Sequence, residues 1–218
     1  MSLVEIIGWS ATAVGALLSL PQLVRLRRTR NLDGLSLVAW RAMLVLNLSW
    51  LAHGVHIGQP PQIVTNAVAL GITLPLLVML TRSLHLSLPR VLALPLAASA
   101  AIIAIDLSLG SLAFGIVAMI PGLLFNLGQS VELVRAPLID GVAPLFLALA
   151  CLNQCLWLTW AVLVHDPGTI LACALTLTMT GFNLTWFALR RLGLRALFIR
   201  APGALPESEA AEPDLARG

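Results

Sequence analysis

The sequence contains no lysine and no tyrosine, and only 11% of its 218 residues are charged. Its 13 basic residues are therefore all arginines, and the formal net charge is +3. Apart from Arg41, they fall in loops between apolar runs or near the C-terminus. No basic face suited to nucleic acid is expected, so nucleic-acid partners are excluded.

Cysteine is also scarce. Cys151, Cys155 and Cys173 all lie inside apolar stretches, and their odd number and spacing match neither a disulfide framework nor a metal site. The sequence also has no carboxylate pair, His/Cys cluster or Ser/His/Asp set that is expected to share one depth in a membrane. The sequence therefore predicts no enzyme, no cofactor and no metal.

Apolar residues dominate instead, because 59% of the chain is hydrophobic and the mean hydropathy is +0.94. A water-soluble core cannot hide so much apolar surface, whereas lipid can surround it. Runs of about twenty apolar residues predict seven spans, at roughly 4–26, 36–57, 61–81, 89–107, 111–134, 143–165 and 167–190. We expect an all-α membrane protein of seven transmembrane helices in contact with lipid.

Arginines set the expected orientation. They occur in the loops after the first, third and fifth spans and after the seventh, whereas the opposite loops carry His56, Asp106, His165 and Asp166. The positive-inside bias then places the N-terminus outside and the C-terminus in the cytoplasm, across a plasma or inner membrane. The tail at 191–218 is expected to be disordered.

The chain repeats itself at an offset of 107 residues. The matched pairs include Gly8 with Gly115, Gln22 with Gln129, Trp50 with Trp157, and Pro60 with Pro167. About twenty of roughly eighty pairs are identical, where roughly seven would arise by chance. Two parallel copies of three spans require one extra span between them, so we expect a first bundle at 3–81, a linker helix at 82–109 and a second bundle at 110–190, with a pathway between the bundles.

This plan resembles the SWEET sugar transporters and the wider PQ-loop proteins, over about residues 3–190. The residues that carry the resemblance are Leu20-Pro21-Gln22 with Asp33-Gly34 in the first repeat, and Leu127-Gly128-Gln129 with Asp140-Gly141 in the second. The resemblance implies that prolines in the first two helices of each bundle act as hinges for alternating access. The implied hinge and gating residues are Pro21, Gln22, Gly128, Gln129 and Pro144, while Leu37 departs from the pattern at the remaining hinge position.

Trp50 and Asn66 form the candidate substrate site. Each lies eight residues from the turn at Gly58, so both are expected about 12 Å below that turn, near the middle of the bilayer. In the resembling family a tryptophan and asparagine pair at this spacing binds the sugar. An indole packs against the apolar face of a pyranose, and a carboxamide hydrogen-bonds to its hydroxyls.

The second repeat places Trp157 and Cys173 at the same depth. Cys173 departs from the resembling family, since a thiol cannot replace the hydrogen bonds of a carboxamide. Asn153 and Gln154 lie on nearly the same face as Trp157, one turn away, and are expected to compensate. Asn47 has the same relation to Trp50.

These features predict an energy-independent uniporter of a mono- or disaccharide. Proton-coupled carriers need an ionisable relay within the membrane, and here the acidic residues lie at span ends or in loops. His53 is interpreted as a neutral histidine bonded to a neighbouring helix. Two alternatives stay open: a proton-coupled PQ-loop exporter of amino acids, and a non-transporting sorting or sensing receptor of related fold, such as the KDEL receptor. Association into a homo-oligomer stays open as well.

Overall fold

The computed structural model describes residues 1–29, 36–139 and 142–197, with the helical backbone alone for 19–29. Within these ranges the helices are α1 (Leu3–Thr29), α2 (Leu37–His56), α3 (Pro60–Ser83), α4 (Leu88–Leu109), α5 (Ser111–Ala118), α6 (Ile120–Arg135), α7 (Pro144–Val164) and α8 (Pro167–Arg191). α5 and α6 together form one candidate span over Ser111–Arg135, so the described residues give the seven expected helices. Each predicted span ends within about one helical turn of an observed one.

The interruption of the fifth span at Met119 was not predicted. Pro121 explains it, because proline has no backbone N–H and its ring crowds the preceding turn. Helical hydrogen bonds continue on both sides, from Met119 N–H to the Gly115 carbonyl at 3.1 Å and from Leu123 N–H to the Met119 carbonyl at 3.0 Å. The fifth span is therefore distorted at Met119 and continues as a helix on both sides of it.

Five spans are long and apolar enough to cross a membrane by length and composition: α3, α4, α5 with α6, α7 and α8. In α1 the apolar segment is shorter, at Leu3–Leu18. α2 has 20 residues and a partly polar interior, with Asn47, Ser49 and His53 all buried. Its polar side chains thus face other helices and not lipid, as expected in a multi-pass membrane protein.

The helix boundaries repeat with the same offset as the sequence. α2 and α3 begin at residues 37 and 60, and α7 and α8 begin at residues 144 and 167. The helices form two parallel three-helix bundles, one of α1, α2 and α3 and the other of α5 with α6, α7 and α8. α4 packs against α2 and α5, and α1 packs against α7, so both contacts join the bundles.

Small residues allow close helix crossings at equivalent points of both repeats. A Cβ atom on Gly8 would lie 2.8 Å from Cγ of Pro61, and one on Gly115 would lie 2.5 Å from Cα of Gly168. Pro61 and Gly168 correspond by the same offset of 107. The first bundle therefore crosses α1 over α3 where the second crosses α5 over α8, and any larger side chain would separate the backbones.

Two ends of the molecule are distinguished below. The histidine end is formed by the C-termini of α2, α4 and α7 and carries His53, His56 and His165. The arginine end is the opposite one and carries Arg82, Arg135 and Arg190. The loops with Asp33-Gly34 and Asp140-Gly141, and the tail beyond residue 197, lie outside the described residues.

Candidate functional site

The two tryptophans predicted to bind the substrate have the same local geometry in both repeats. The Trp50 ring stands edge-on to His53, with centroids 5.9 Å apart and planes at 84°. The Trp157 ring stands edge-on to Trp160, at 5.3 Å and 86°. In each case the partner is three residues later, one turn closer to the histidine end. Both tryptophans are only half-buried, so part of each indole remains free to contact a solute.

Trp50 also reaches across to the second bundle. Its ring lies 4.9 Å from that of Phe114 on α5, with the planes at 80°. Phe114 is fully buried and stacks on His53 at 4.3 Å. These three aromatic rings fix the contact between α2 and α5 on the side of Trp50 that faces the histidine end. Phe114 was not singled out by the sequence analysis, because only the packing of α5 on α2 brings it there.

Asn66 is buried on α3 and is connected to Trp50 through Gln62. The Asn66 amide donates to the Gln62 carbonyl at 2.8 Å, and the Gln62 amide donates to the Trp50 carbonyl at 3.4 Å. The structure thus places the predicted Trp and Asn pair on adjoining turns of neighbouring helices. In this state the Asn66 amide is bonded to its own helix.

The equivalent region of the second repeat differs in polarity. Cys173 is buried on α8, and Gln154 is half-buried on α7. Asn153 lies where α7 meets α1, since a Cβ on Gly15 would be 3.7 Å from its carboxamide oxygen. That oxygen is buried and has no hydrogen-bond partner among the described residues. Burying a carbonyl oxygen without a hydrogen-bond partner costs free energy, and the Asn153 oxygen is the atom of this set that lacks a donor.

Asn47, which is predicted as part of the substrate site, contacts α3. It is buried, and its amide donates to the Thr73 hydroxyl at 3.1 Å, which joins α2 to α3 inside the first bundle. A hydrogen bond of this kind between neighbouring helices stabilises a bundle in lipid. Asn47 therefore supports the helix that carries Trp50.

The predicted hinge residues lie toward the arginine end. The α1 helix continues through Pro21 and Gln22. Gly128 and Pro144 are exposed, and a Cβ on Gly128 would meet nothing within 4 Å. Gln129 accepts from the buried Asn183 amide at 3.4 Å, which connects α6 to α8. Bending at Gly128 or Pro144 would thus meet no packed neighbour, whereas Gln129 belongs to the contacts of its bundle.

A buried ionisable cluster occupies the histidine end. His53 Nδ1 lies 2.8 Å from Asp106 Oδ2 on α4, and His53 Nε2 lies 3.0 Å from Asp166 Oδ2 at the start of α8. The His56 Nδ1 atom lies 3.0 Å from the same Asp106 oxygen. His53, Asp106 and Asp166 are all buried. Through them, α2 of the first bundle, the linker α4 and the start of α8 in the second bundle are joined by polar contacts.

Asp166 is held as a hydrogen-bond acceptor. It precedes α8 as the N-cap and accepts from the Thr169 N–H at 3.2 Å and from the hydroxyls of Ser111 and Thr169. Burial raises the pKa of its carboxyl, but hydrogen bonds from His53, Ser111 and Thr169 lower that pKa to about 2. Asp166 is therefore ionised, and the Nε2 of His53 donates its proton to it.

From the sequence, one neighbouring helix is expected to bond to His53, and the structure gives His53 two carboxylate partners on different helices. Asp106 and Asp166 were recognised only as residues near span ends. Their sequence signals are modest: each lies in or beside the last or first turn of an apolar span, and Asp166 has the Asp-Pro-Gly-Thr pattern of a capped helix start. Nothing in the linear order indicates that both carboxylates face the same imidazole.

A large apolar groove lies elsewhere and does not fit a polar solute. It is lined by α2 and α4 and includes Leu48, Leu51, Val55, Leu96 and Leu107. Almost its whole lining is apolar, so sugar hydroxyls or a charged amino acid would lose their hydrogen bonds to water there. The half-buried tryptophans and the carboxamides on the inner faces of the bundles remain the better candidate site.

A transporter of known structure has the same fold. A eukaryotic SWEET transporter, determined at 3.7 Å resolution, matches with a TM-score of 0.68 over 88% of this chain and 100% of that chain. The sequence identity is 14%, at which a likeness establishes the fold alone. No protein-family model and no curated protein sequence matches the chain. The predicted SWEET-type architecture of two three-helix bundles and a linker helix is thereby confirmed.

Proposed function

We propose that this chain, which has the SWEET fold, carries a mono- or disaccharide across a membrane without an energy source. The observation that carries the proposal is the duplicated pair of half-buried tryptophans. Trp50 and Trp157 each stand edge-on to a buried ring one turn toward the histidine end. Two indole surfaces, together with carboxamides on the same helices and their neighbours, are suited to a ring with one apolar face and several hydroxyls.

In this proposal the substrate lies among residues of both repeats. Trp50 and Trp157 stack on the sugar ring, Asn66 orients it, and Asn153 and Gln154 bond to its hydroxyls in place of the amide that Cys173 lacks. The unpartnered Asn153 oxygen supports this role, because a sugar hydroxyl would satisfy it. Asn47 acts through α2 and does not touch the substrate.

Transport would proceed by alternating access of the two bundles, with 3–81 and 110–190 moving as units about the linker at 82–109. The buried contacts of His53 with Asp106 and Asp166 close the histidine end, which supports a state that opens toward the arginine end. The histidine end faces outside and the arginine end faces the cytoplasm, as the arginine distribution favours.

Counterflow in proteoliposomes tests the proposal. Purified full-length protein would be reconstituted with an unlabelled sugar inside and a trace of labelled sugar outside, and the panel would include neutral amino acids. We expect labelled sugar to enter above its equilibrium level in the presence of internal sugar, and protein-free liposomes supply the baseline. Counterflow of an amino acid alone would favour the exporter alternative, and counterflow of no solute would favour a receptor.

A further inference from the structure

Three metal-ligating side chains converge at the histidine end. The Nδ1 atoms of His53 and His56 and the carboxylate of Asp106 lie within 4.8 Å of one another. Both histidine nitrogens approach the same Asp106 oxygen, at 2.8 and 3.0 Å. Two imidazoles and one carboxylate are the ligand set of many zinc sites with three protein ligands.

We propose that His53, His56 and Asp106 bind a divalent transition-metal ion of the Zn²⁺ class at the histidine end, and that the ion holds this end closed. Two nitrogen ligands favour such an ion over Mg²⁺ or Ca²⁺, which prefer oxygen ligands. Zinc bonds of about 2.0–2.2 Å place tetrahedral ligands about 3.3 Å apart, so the two distances to the Asp106 oxygen, 2.8 and 3.0 Å, would open by about 0.3–0.5 Å.

The second coordination shell is already in place. A metal-binding histidine usually donates its other ring N–H to a carboxylate, which fixes the tautomer and the ring orientation. His53 does so through Nε2 to Asp166 Oδ2 at 3.0 Å. Asp166 is itself held by Ser111 and Thr169. Both ring nitrogens of His53 therefore lie against carboxylates, Nε2 against Asp166 and Nδ1 against Asp106 at 2.8 Å.

Two further observations favour a bound ion. Asp106 is only 2% exposed, and its second carboxylate oxygen is buried and lacks a hydrogen-bond partner in the part of the chain that the structure describes. The His56 side chain, by contrast, is 44% exposed. The site therefore has two buried ligands and one accessible ligand, His56.

The ion would join helices that must separate when this end opens. His53 and His56 belong to α2, Asp106 belongs to the linker α4, and His53 contacts Asp166 of the second bundle. An ion bound between α2 and α4 would hold these two helices together, and the contact of His53 with Asp166 would hold α2 to the second bundle. The part of the proposal that concerns transport rests on the proposed function, whereas metal binding itself does not.

Binding is tested on purified full-length protein without a polyhistidine tag, by calorimetric titration with Zn²⁺ alone and by the visible spectrum of added Co²⁺. We expect one bound ion per chain and an intense Co²⁺ band typical of four-coordination. His56→Ala removes an exposed ligand without opening the core, and we expect at least a tenfold loss of affinity. Asp166→Asn should weaken binding about ten- to a hundredfold through the second shell.

His165→Asn is the matched control, since His165 is an exposed histidine at the same end that adopts a left-handed conformation asparagine tolerates. It should bind Zn²⁺ as the unchanged protein does. Binding absent in the unchanged protein, or equally tight in His56→Ala, would overturn the site. In proteoliposomes Zn²⁺ should slow sugar flux in the unchanged protein and not in His56→Ala, and equal flux with and without Zn²⁺ would overturn the closing role. A protein that binds Zn²⁺ but carries no solute would contradict the proposed function and leave the metal site supported.

Discussion

His53 and Trp160 occupy equivalent positions in the two repeats, 107 residues apart, and both side chains are fully buried at the histidine end. Trp160 packs on Gly8, with a distance of 2.9 Å from its ring to the Cβ that Gly8 lacks. His53 closes its half through two carboxylates. Equivalent positions in the two repeats therefore close the histidine end in different ways, Trp160 by ring packing and His53 by polar contacts.

This difference predicts unequal effects on stability for two neighbouring histidines. His53→Ala would leave Asp106 and Asp166 buried without the imidazole between them, and removing one partner of a buried charged set costs about 3–5 kcal/mol. His56→Ala removes a half-exposed partner, which should cost less than about 1 kcal/mol. Thermal unfolding of both variants in detergent with a chelator present measures the difference. Equal losses would contradict the polar closure.

Trp50→Ala and Asn66→Ala should each abolish most sugar flux. Loss of an indole removes a stacking surface of about 1–3 kcal/mol, by analogy with base stacking. Loss of the amide leaves a bound hydroxyl unpaired, at about 1–3 kcal/mol. Either change weakens binding about ten- to a hundredfold, which initial rates of counterflow over a range of sugar concentrations would measure.

Cys173 supplies the control for that experiment. A thiol is a weak donor, so Cys173→Ala should have a mild effect, and Cys173→Asn should tighten binding by adding an amide. Size-exclusion profiles of all variants establish that they fold. Normal transport by Asn66→Ala together with loss in Cys173→Ala would show that the repeat register misassigns the site.

Sugar transport should not accumulate substrate. Under an imposed pH gradient the internal concentration should reach the external one and stop, and a protonophore should leave the initial rate unchanged. The measurement is the time course of labelled sugar in proteoliposomes with a valinomycin-clamped potential. Uphill accumulation would contradict uniport and favour a proton-coupled carrier.

The helix crossing at Gly115 should tolerate no side chain. A Cβ there would lie 2.5 Å from backbone atoms of Gly168, so Gly115→Ala must push α5 away from α8 and should destabilise by about 1–3 kcal/mol. Gly71→Ala is the matched control on α3, because a Cβ at Gly71 meets nothing within 4 Å. It should leave the unfolding temperature within a degree or two or raise it slightly. Equal behaviour of the two variants would contradict the close crossing.

The expected orientation can be tested independently of transport. A reporter fused to the C-terminus should be active only in the cytoplasm, because arginines gather at the end of α8 and in the loops on the same side. Activity restricted to the outer side would reverse the assignment of the histidine and arginine ends.

Much of the fold could be predicted from the sequence, because each span is a long apolar run and the repeat at 107 fixes how the runs are grouped. Pro60 and Pro167 begin α3 and α8 as their pattern indicates. The distortion at Met119 was not predicted, because the apolar run of the fifth span continues past Pro121 and indicates a single helix. Pro121 is nevertheless the residue that signals the distortion.

The candidate site was less accessible to such reasoning. Trp50 and Asn66 could be paired because each lies eight residues from the turn at Gly58, so the helical rise predicts the same depth for both. His53, Asp106 and Asp166 come from α2, α4 and α8, and their meeting depends on how those helices pack. The partner of Asn47 likewise depends on which face of α3 turns toward α2.

The crossing of α5 over α8 lies near one end of the molecule, and this position sets how far each part can travel. From Gly115 to Arg135 the fifth span extends about 30 Å at 1.5 Å per residue. If the backbones stay in contact at Gly115 and Gly168, that contact is a fulcrum, and a tilt of about 10° displaces the far end by roughly 5 Å while the near end barely moves. An opening at the arginine end thus needs only a small angular change. Opening the near end requires a different motion, in which α2 leaves α4 and α8.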